Sequence, residues 1–302
     1  MAERAAPHID GADLNFYIST AYLPIAETFA IAKAADRLGF DGLGIPDHVV
    51  DFAELTTPYP YTRDGKTRWE PFTDWPDPWV LIGGLAQCTS TLRFVTTVYI
   101  PALRDPFTAA KAIGTASTLS GGRLELGIGV GWSKDEFDLL GARFAGRGKR
   151  TDEMISLMRD LWTPGWTTFD GDDYPTPPVE MSPTPPHIPV FVGGLTDRAL
   201  KRAARYDGWV GDLITTAGAA DVAERLHSLR SDVGRAETAF TIIAPLIDAI
   251  TPDDYRQAAH TGITHVLTMP WMFYSGPDAT TEQKIEDMAR FRTDVLDPLR
   301  CT

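Results

Sequence analysis

Short runs of β-forming residues alternate with helical patterns along this 302-residue chain, and the alternation limits its fold more than any other feature. Parallel strands need a crossover connection, usually a helix, so strict alternation predicts a parallel sheet. We predict eight strands, at Leu14–Ile18, Gly42–Ile45, Leu92–Val98, Leu124–Ile128, Ile188–Val192, Gly208–Val210, Ala239–Ala244 and Thr264–Thr268.

Two folds fit such an alternation, the doubly wound open sheet and the closed (β/α)₈ TIM barrel. The count of eight, and the absence of a dinucleotide-binding glycine pattern after the first strand, favour the barrel. Two of the intervening helices are predicted at Pro24–Gly39 and Arg147–Trp162, with Pro24 in the first helical position and Gly39 as the C-terminal cap.

Three connections are longer than a simple turn. Asp47–Asp77 follows the second strand and Met269–Thr281 follows the eighth, so both belong to the C-terminal face, where barrel active sites are built. The Pro-rich segment Thr163–His187 joins a helix to the fifth strand, and we expect it on the opposite face in a structural role. The two C-terminal loops carry aromatic residues that either pack within their own loop or line an apolar slot over a planar ring: Tyr59, Tyr61, Trp69, Phe72, Trp75, Trp271, Phe273 and Tyr274.

A charged pair, Asp47-His48, follows the second strand directly. Residues at the C-terminal end of a barrel strand point toward the active site, and histidine titrates near neutral pH. We predict that His48 transfers a proton and that Asp47 holds the tautomer of its ring. The structural alternative is a histidine bonded to a loop carbonyl.

Glycines mark the ends of two further strands. Alternate glycines at Gly127, Gly129 and Gly131, followed by Trp132, would let a flat ring or a phosphate approach the backbone. Gly193-Gly194-Leu195-Thr196 precedes a helix, whose N-terminal N–H groups suit a phosphate. The alternative in both cases is an ordinary glycine turn.

One charged pair is expected inside the barrel. Side chains alternate between the two faces of a strand, so Arg93 and Glu125, which lie four residues before the strand tops at Thr97 and Gly129, share the inward face with those residues. An unpaired charge there would cost several kcal/mol. We therefore expect the two residues to meet each other or other polar groups of the lumen.

Charge excludes other functions. The formal net charge of −13 repels nucleic acid and anionic membranes, and no apolar run reaches the roughly 20 residues that span a bilayer. With two distant cysteines and a polar beginning, the expected location is the cytoplasm. We expect a small-molecule substrate and leave a homodimer open. A metal-dependent hydrolase using Asp47, His48 and His265 would need more ligands than the sequence offers, and no metal site is predicted.

These segments together resemble the luciferase-like monooxygenase superfamily, and in particular its subgroup that uses the deazaflavin coenzyme F-420. The likeness covers roughly residues 12–212 and is most specific at Thr118–Trp132, the Leu-Ser-Gly-Gly-Arg block that leads into Gly-Val-Gly-Trp. The other matching stretches are Gly39–His48, Asp77–Leu81, Thr97–Pro106, Glu136-Phe137 with Leu140-Gly141, Arg147–Glu153, Pro189–Gly194 and Asp207–Trp209.

The resemblance implies one luciferase-like barrel domain over residues 1–302, with the cofactor ring against the strand ends. It implies a backbone bulge at Thr97-Val98, frequently with a non-proline cis peptide, that presses on the ring. Phosphate contacts would fall on Gly193, Gly194, Leu195 and Thr196, and cofactor contacts on Gly129, Gly131 and Trp132.

One departure from the family limits the substrate. Some deazaflavin-using sugar dehydrogenases carry a glutamate proton donor just after the fourth strand, where this chain reads Val130-Gly131-Trp132. The resemblance thus implies an F-420-dependent hydride transfer to or from a small organic substrate other than those sugars. An FMN-dependent monooxygenase on the same scaffold is the alternative, and a non-catalytic cofactor-binding barrel stays open.

Overall fold

A computed structural model describes residues 14–300 and closes eight parallel strands into a barrel. The barrel strands are β1 (Asn15–Ser19), β2 (Gly42–Ile45), β3 (Arg93–Thr96), β4 (Leu124–Ile128), β7 (Val190–Gly193), β8 (Gly208–Val210), β9 (Thr241–Ala244) and β10 (His265–Thr268). They follow one another around the barrel in this order, and β10 pairs with β1 to close it. The predicted TIM barrel is confirmed. Its predicted fifth strand is β7, because two short strands outside the barrel, β5 (Thr167–Phe169) and β6 (Thr176–Val179), precede it in the chain.

Helices connect the barrel strands and cover the outside of the barrel. They are α1 (Ile25–Leu38), α2 (Pro78–Ala86), α3 (Pro106–Leu119), α4 (Lys134–Leu139), α5 (Arg147–Leu161), α6 (Asp197–Ala203), α7 (Thr216–Asp232), α8 (Pro252–His260), α9 (Thr281–Phe291) and α10 (Asp297–Arg300). Short 3-10 turns occupy Pro101–Leu103 and Pro270–Phe273, and a π-helical turn occupies Arg292–Leu296. No helix between residues 14 and 300 is long and apolar enough to cross a membrane.

Local sequence explains where the helices begin and end. Asp77 and Asp105 accept hydrogen bonds from the first backbone N–H groups of α2 and α3, and a proline follows each of them. Gly39 ends α1 in the left-handed conformation at a φ of 76°, as predicted. Pro24 is extended at a ψ of 144°, so it precedes the helix and does not form its first residue.

The third strand is shorter than the predicted Leu92–Val98, because regular pairing stops at Thr96. The Thr97-Val98 peptide is cis, at the position that the family resemblance implies. Pairing with the neighbouring strand resumes beyond it, where Tyr99 N donates to Gly127 O at 2.9 Å and Gly129 N donates to Tyr99 O at 2.8 Å. The predicted bulge therefore lies where β3 meets the C-terminal face.

The lower part of the lumen holds the predicted charged pair. Arg93 Nε lies 2.5 Å from Glu125 Oε1, and Tyr17 Oη donates to Glu125 Oε2 at 3.0 Å. Burial raises the pKa of Glu125 above its ordinary value, while Arg93 and Tyr17 oppose that rise. Burial and the nearby Arg93 lower the pKa of His265, whose ring packs against Tyr17, to about 4. Arg93 and Glu125 pair in the lumen, as predicted.

The Pro-rich segment after α5 differs from its prediction. It forms an antiparallel hairpin of β5 (Thr167–Phe169) and β6 (Thr176–Val179), and the hairpin runs back along α5. Its tip lies beside the first half of that helix, where Glu153 Oε1 accepts from Asp173 N and Tyr174 N, each at 2.8 Å. An extended chain covers about 3.3 Å per residue, whereas a helix covers about 1.5 Å. A few extended residues are therefore enough for the chain to run back from the end of α5 toward its beginning. The tip thus lies toward the C-terminal face, so the expected position on the opposite face was wrong for the tip, while the structural role of the segment stays a prediction.

Candidate active site

Asp47 is fixed by an arginine that follows β3. Arg104 Nη1 and Nη2 donate to its two carboxylate oxygens, each at 2.6 Å, and Ile100 N donates to Oδ2 at 3.0 Å. Burial raises the pKa of Asp47, and the charge of Arg104 opposes that rise. Because these donors occupy both oxygens, Asp47 joins the ends of β2 and β3. The prediction that Asp47 holds the tautomer of the His48 ring was wrong, because the ring nitrogen Nδ1 pairs with another carboxylate.

His48 takes a different carboxylate as its partner. Its Nδ1 lies 3.3 Å from Glu136 Oε2, and Val49 N donates to Glu136 Oε1 at 2.7 Å. Only 16% of the His48 side chain is exposed, and 5% of that of Glu136. Burial acts to raise the pKa of Glu136, but hydrogen bonds from His48 and the backbone outweigh it and lower that pKa below its ordinary value. A carboxylate thus orients the histidine ring.

Glu136 is a candidate site residue that the sequence interpretation missed. It lies in the first turn of α4, whose N-cap Ser133 accepts from Glu136 N at 3.2 Å. An acidic residue is favoured there by the helix dipole, and this ordinary explanation concealed its role. The signal that could have identified it was the Glu136-Phe137 pair, which was matched to the family without a function.

Aromatic rings surround His48. Trp69 and Trp75 lie with ring centroids 4.9 Å from the imidazole, and Trp132 lies at 6.1 Å. Tyr59 packs edge-on against Trp69 and Trp132. The buried Nε1 of Trp75 has no hydrogen-bond acceptor among residues 14–300. The loop between β2 and α2 therefore builds an apolar wall around the histidine, and Trp132 belongs to that wall.

Acidic residues tie this loop down at separate points. Arg68 donates from both Nη atoms to Asp212, just after β8, at 2.7 and 2.8 Å. The Asp135 carboxylate accepts from Thr57 N at 2.8 Å, and Asp74 Oδ2 accepts from Ile25 N at 2.9 Å. The loop that leaves β2 thus reaches the far side of the barrel and is held there by an ion pair.

The loop between β10 and α9 does not take part in this arrangement. Trp271 is 2% exposed and lies in the main apolar core, and Phe273 packs on Phe291 of α9. Tyr274 Oη donates to Asp294 Oδ2 at 3.3 Å. The aromatic residues of this loop therefore pack within the surrounding structure. The alternative, that they line an apolar slot over a planar ring, is not supported.

The bulge and two glycines meet at the top of the barrel. A Cβ on Gly129 would lie 2.7 Å from Val98 Cγ2, and a Cβ on Gly193 would lie 2.9 Å from Val98 Cγ1. These glycines therefore make room for Val98 itself. Gly131, at a φ of +78°, makes room for Phe137 and Ile100, and a Cβ on Gly127 would overlap Thr96 O. The expectation that Gly127, Gly129 and Gly131 leave open space for a ring or phosphate was wrong, since protein atoms fill that space.

The turn after β7 has the predicted form. Thr196 caps α6, with Ala199 N donating to its Oγ1 at 3.3 Å, and Trp209 Nε1 donates to Gly194 O at 2.9 Å. Leu195 is 43% exposed at the turn. Gly194 has a φ of +113°, which side chains rarely adopt, so a bulky substitution there would strain the turn itself.

An apolar floor closes the lumen below these residues. Tyr17, Val95, Phe191, Val210 and Ile243 form a buried cluster, and Val98 and Leu267 pack on it while remaining partly exposed. Because Val98 follows the end of β3, its exposed part lies at the C-terminal mouth of the barrel, and we refer to the partly exposed apolar surface of Val98 and Leu267 as the floor of a recess. A recess with an apolar floor suits one face of a planar ring.

Metal chemistry has no support in the described part of the chain. Between residues 14 and 300 no three histidine, cysteine or carboxylate side chains are placed to share a metal ion. His265 lies in the lumen beside Thr264, whose Oγ1 is 2.8 Å from its Nδ1. The hydrolase alternative with Asp47, His48 and His265 as ligands is not supported.

Comparisons with known proteins support the fold and identify a family. A sequence model of the luciferase-like monooxygenase family matches residues 10–298. An uncharacterised protein of Mycobacterium tuberculosis is 34% identical over 284 residues, which are 92% of this chain and 95% of that protein. The F-420-dependent glucose-6-phosphate dehydrogenase of Intrasporangium calvum is 32% identical over 194 residues, 61% of this chain and 52% of that enzyme. The F-420-dependent tetrahydromethanopterin reductase of Methanopyrus kandleri, at 14% identity, superposes with a TM-score of 0.72 over 95% of this chain and 99% of the reductase, and this likeness concerns the fold alone.

Proposed function

The chain belongs to the luciferase-like monooxygenase family, and we propose that it is an F-420-dependent reductase or dehydrogenase of a small organic substrate. The observation that carries the proposal is the pair formed by His48 and Glu136 beside a recess with an apolar floor. When bound, coenzyme F-420 would supply hydride chemistry at its C5 atom. The protein would supply placement of the ring, exclusion of water and a proton.

In this proposal His48 is the proton partner of the reaction. A histidine within reach of a substrate can give or take a proton at neutral pH, and Glu136 would hold the ring of this one in place. The surrounding tryptophans exclude water, which strengthens the electrostatic contact between the two residues. Asp47 is proposed as a positioning residue that fixes the strand end from which His48 projects.

The bulge and the turn after β7 are proposed to hold the cofactor. Thr97 and Val98 would contact the ring from the floor of the recess, with Gly129 and Gly193 supporting Val98 from behind. The backbone of Gly193, Gly194, Leu195 and Thr196 would hold the cofactor's phosphate at the start of α6. Gly131 and Trp132 would act indirectly, through Phe137 and His48.

The phosphate assignment can be tested at Leu195. Leu195→Asp places a negative charge at the turn without strain, and an acidic residue near a helix N-terminus does not harm the helix. We expect cofactor affinity to fall about tenfold, the scale of one charged contact. The neutral Leu195→Asn is the matched control and should retain affinity. Equal affinity in both variants, measured by fluorescence titration, would show that the cofactor's phosphate does not bind at this turn.

The choice of cofactor rests on family likeness, including the identity shared with the F-420-dependent dehydrogenase. Titration of the purified chain with F-420 and with FMN, followed by cofactor fluorescence, tests it directly. We expect tighter binding of F-420. A clearly higher affinity for FMN would overturn the F-420 assignment, and no binding of either cofactor would overturn the proposed function.

An FMN-dependent monooxygenase is the second candidate, and the description of the matching family favours it. Reduced FMN with substrate would then drive oxygen uptake that the chain accelerates, whereas the F-420 enzyme would leave oxygen uptake unchanged. The cytoplasmic location, the homodimer and the small-molecule substrate stay predictions.

A further inference from the structure

The end of β1 carries a tyrosine with an unusual backbone. Tyr22 lies three residues beyond Ser19, the last residue of that strand, and has a left-handed conformation at a φ of 67°. A residue other than glycine rarely adopts this conformation, and such residues cluster at functional sites. Residues that follow the C-terminal end of a barrel strand also build the active-site face. Tyr22 has no part in the proton transfer or cofactor binding proposed above.

Tyr22 packs on the apolar wall around His48. Its ring stacks on Trp69 with 6.4 Å between centroids and meets Trp75 edge-on at 6.1 Å. The Trp75 ring itself lies 4.9 Å from the His48 imidazole, so a single ring joins Tyr22 to the proposed proton partner. Tyr22 is 42% exposed and Trp75 is partly exposed, so a small molecule can reach both side chains.

The charges near Tyr22 show that its ring points across the mouth of the barrel. Burial raises the pKa of Tyr22, and of the charges close to its hydroxyl Arg68 opposes that rise and Asp212 adds to it. Asp212 follows β8, which is three positions away from β1 around the barrel. A residue at the end of β1 that lies close to both charges therefore extends over the opening.

These charges leave no positive charge free for an anion. Both Nη atoms of Arg68 donate to the Asp212 carboxylate, at 2.7 and 2.8 Å, so the two charges balance. Asp51 accepts from the neutral Nε1 of Trp69 at 3.2 Å and keeps its negative charge. Hydrogen bonds hold the pKa of Glu136 below its ordinary value, so that carboxylate is charged at neutral pH. The surface beside Tyr22 is thus aromatic and unfavourable for anions.

We propose that Tyr22 and Trp75 bind the substrate, and that this substrate is planar, largely apolar and free of anionic groups. The inference rests on the proposed function, because His48 defines where the reacting atom lies. An aromatic surface binds a planar molecule by burying apolar area and by stacked or edge-on ring contacts. A phosphate or carboxylate group would lose water here without gaining an unpaired cation, and Asp51 and Glu136 would repel it.

The test compares two probes of nearly equal shape, the uncharged 2-naphthamide and the anionic 2-naphthoate. Equilibrium dialysis against the full chain without cofactor should show one saturable site for 2-naphthamide. Binding of 2-naphthoate should be at least tenfold weaker, because its charge would be desolvated without a partner. Asp212→Asn leaves Arg68 without its counter-ion, so this variant should bind 2-naphthoate more tightly than the wild type does. No saturable 2-naphthamide site, or equal affinity of the wild type for both probes, would overturn the proposal.

Variants of Tyr22 test where the probe binds. Tyr22→Asn removes the ring, and asparagine tolerates the left-handed backbone better than tyrosine does. The affinity for 2-naphthamide should fall about tenfold, the scale of one aromatic contact, while Tyr22→Phe should retain it. Phe72→Asn is the matched control, because Phe72 has a φ of 68° and a ring that is 99% exposed. Unchanged affinity in Tyr22→Asn, or equal weakening in Phe72→Asn, would overturn the proposal.

Urea unfolding of each variant shows whether the compared chains are folded, and the two probes still decide the question in the wild type if Tyr22→Asn does not fold. These measurements are independent of the cofactor titration. Failure of both F-420 and FMN to bind would overturn the proposed function and leave the selectivity for the probes as measured. Failure of 2-naphthamide to bind a chain that does bind F-420 would overturn this inference alone.

Discussion

Two long aromatic loops leave the same face of the barrel, and they do different things. The loop between β2 and α2 surrounds His48 with Trp69 and Trp75 and reaches across to Asp212 through Arg68. The loop between β10 and α9 buries Trp271 in the main core and packs Phe273 on α9. Their aromatic content and position on the barrel are alike, so neither feature identifies the site.

The polar anchors of the two loops account for the difference. The first loop is held by carboxylates of other elements, Glu136 and Asp135 of α4 and Asp212 after β8. The second is fixed by the helical segment that follows it: the loop packs on the apolar face of that segment, and Asp287 and Asp294 accept from Ser275 N and Tyr274 Oη. Apolar packing fixes a loop against the core, whereas charged and hydrogen-bonded anchors from other parts of the barrel can hold it over an opening. The first loop, whose anchors come from other elements of the barrel, is the one that we propose forms the site.

The largest expected effect is on turnover, at His48. His48→Ala should lower the turnover number about 10²–10⁴-fold, the usual range for a lost general acid or base. Cofactor affinity should change much less, because the recess and the turn after β7 are untouched. Steady-state kinetics and fluorescence titration of the same variant separate the two quantities. Full turnover in the variant would end the proton-transfer role.

A stability effect of similar size is expected in the other loop. Trp271→Ala removes a core side chain that is 2% exposed and should cost about 3–5 kcal/mol in the free energy of unfolding. Turnover per folded molecule should be unchanged, because this loop only packs. Trp69→Ala is the matched comparison, and it should lower turnover as well as stability. Stability is measured by urea unfolding and turnover by steady-state kinetics. If both variants lost stability and turnover to the same extent, the two loops would not differ in function.

A smaller effect is expected at Glu136. Glu136→Gln keeps the shape but loses the charge that faces His48, and turnover should fall about 10–100-fold, the range seen when a partner that orients a histidine is lost. Its folded pKa is below the ordinary 4.5, so the carboxylate stabilises the fold above that pH and the contribution is lost as pH falls. The stability gap between the wild type and Glu136→Gln should therefore shrink below pH 4.5. A gap that widens there would contradict this role.

The smallest effect concerns the ion pair across the mouth. Arg68 and Asp212 are partly exposed, at 23% and 28%, so Arg68→Gln should cost about 1 kcal/mol or less in global stability. Proteolysis of the loop between β2 and α2 should nevertheless become faster. Arg290→Gln is the control, because it breaks the Arg290–Asp294 pair beside the other loop. Loop proteolysis as slow in Arg68→Gln as in Arg290→Gln would show that the pair does not hold the loop.

The barrel could be predicted from local patterns, whereas the partners within the site could not. Apolar runs gave strands within a few residues, and period-two alternation placed Arg93 and Glu125 in the lumen. Asp47 and His48 were found by their position, but their partners Arg104 and Glu136 lie 57 and 88 residues away in sequence. Such pairings depend on how loops from different strands fold together, and no local propensity encodes them.

The glycines also show what local sequence cannot predict. Spacing alone marked Gly129 and Gly193 as points of close approach, which is correct, but the approaching group is Val98 of the same chain. The sequence interpretation also did not predict the hairpin β5–β6. Prolines in β6 argue against a regular strand, and the tip is held by Glu153 of α5, a contact that local sequence does not reveal. What a glycine or a hairpin contacts is decided by tertiary packing.

Hydrogen–deuterium exchange with and without saturating F-420 tests the central claim most directly, because it reads both loops in one experiment. The account predicts slower exchange on binding across residues 47–77, at the bulge after β3 and at the turn after β7. Residues 269–281 should exchange at the same rate in both states. Protection of residues 269–281 with none in 47–77 would contradict the assignment of the site to the loop that surrounds His48.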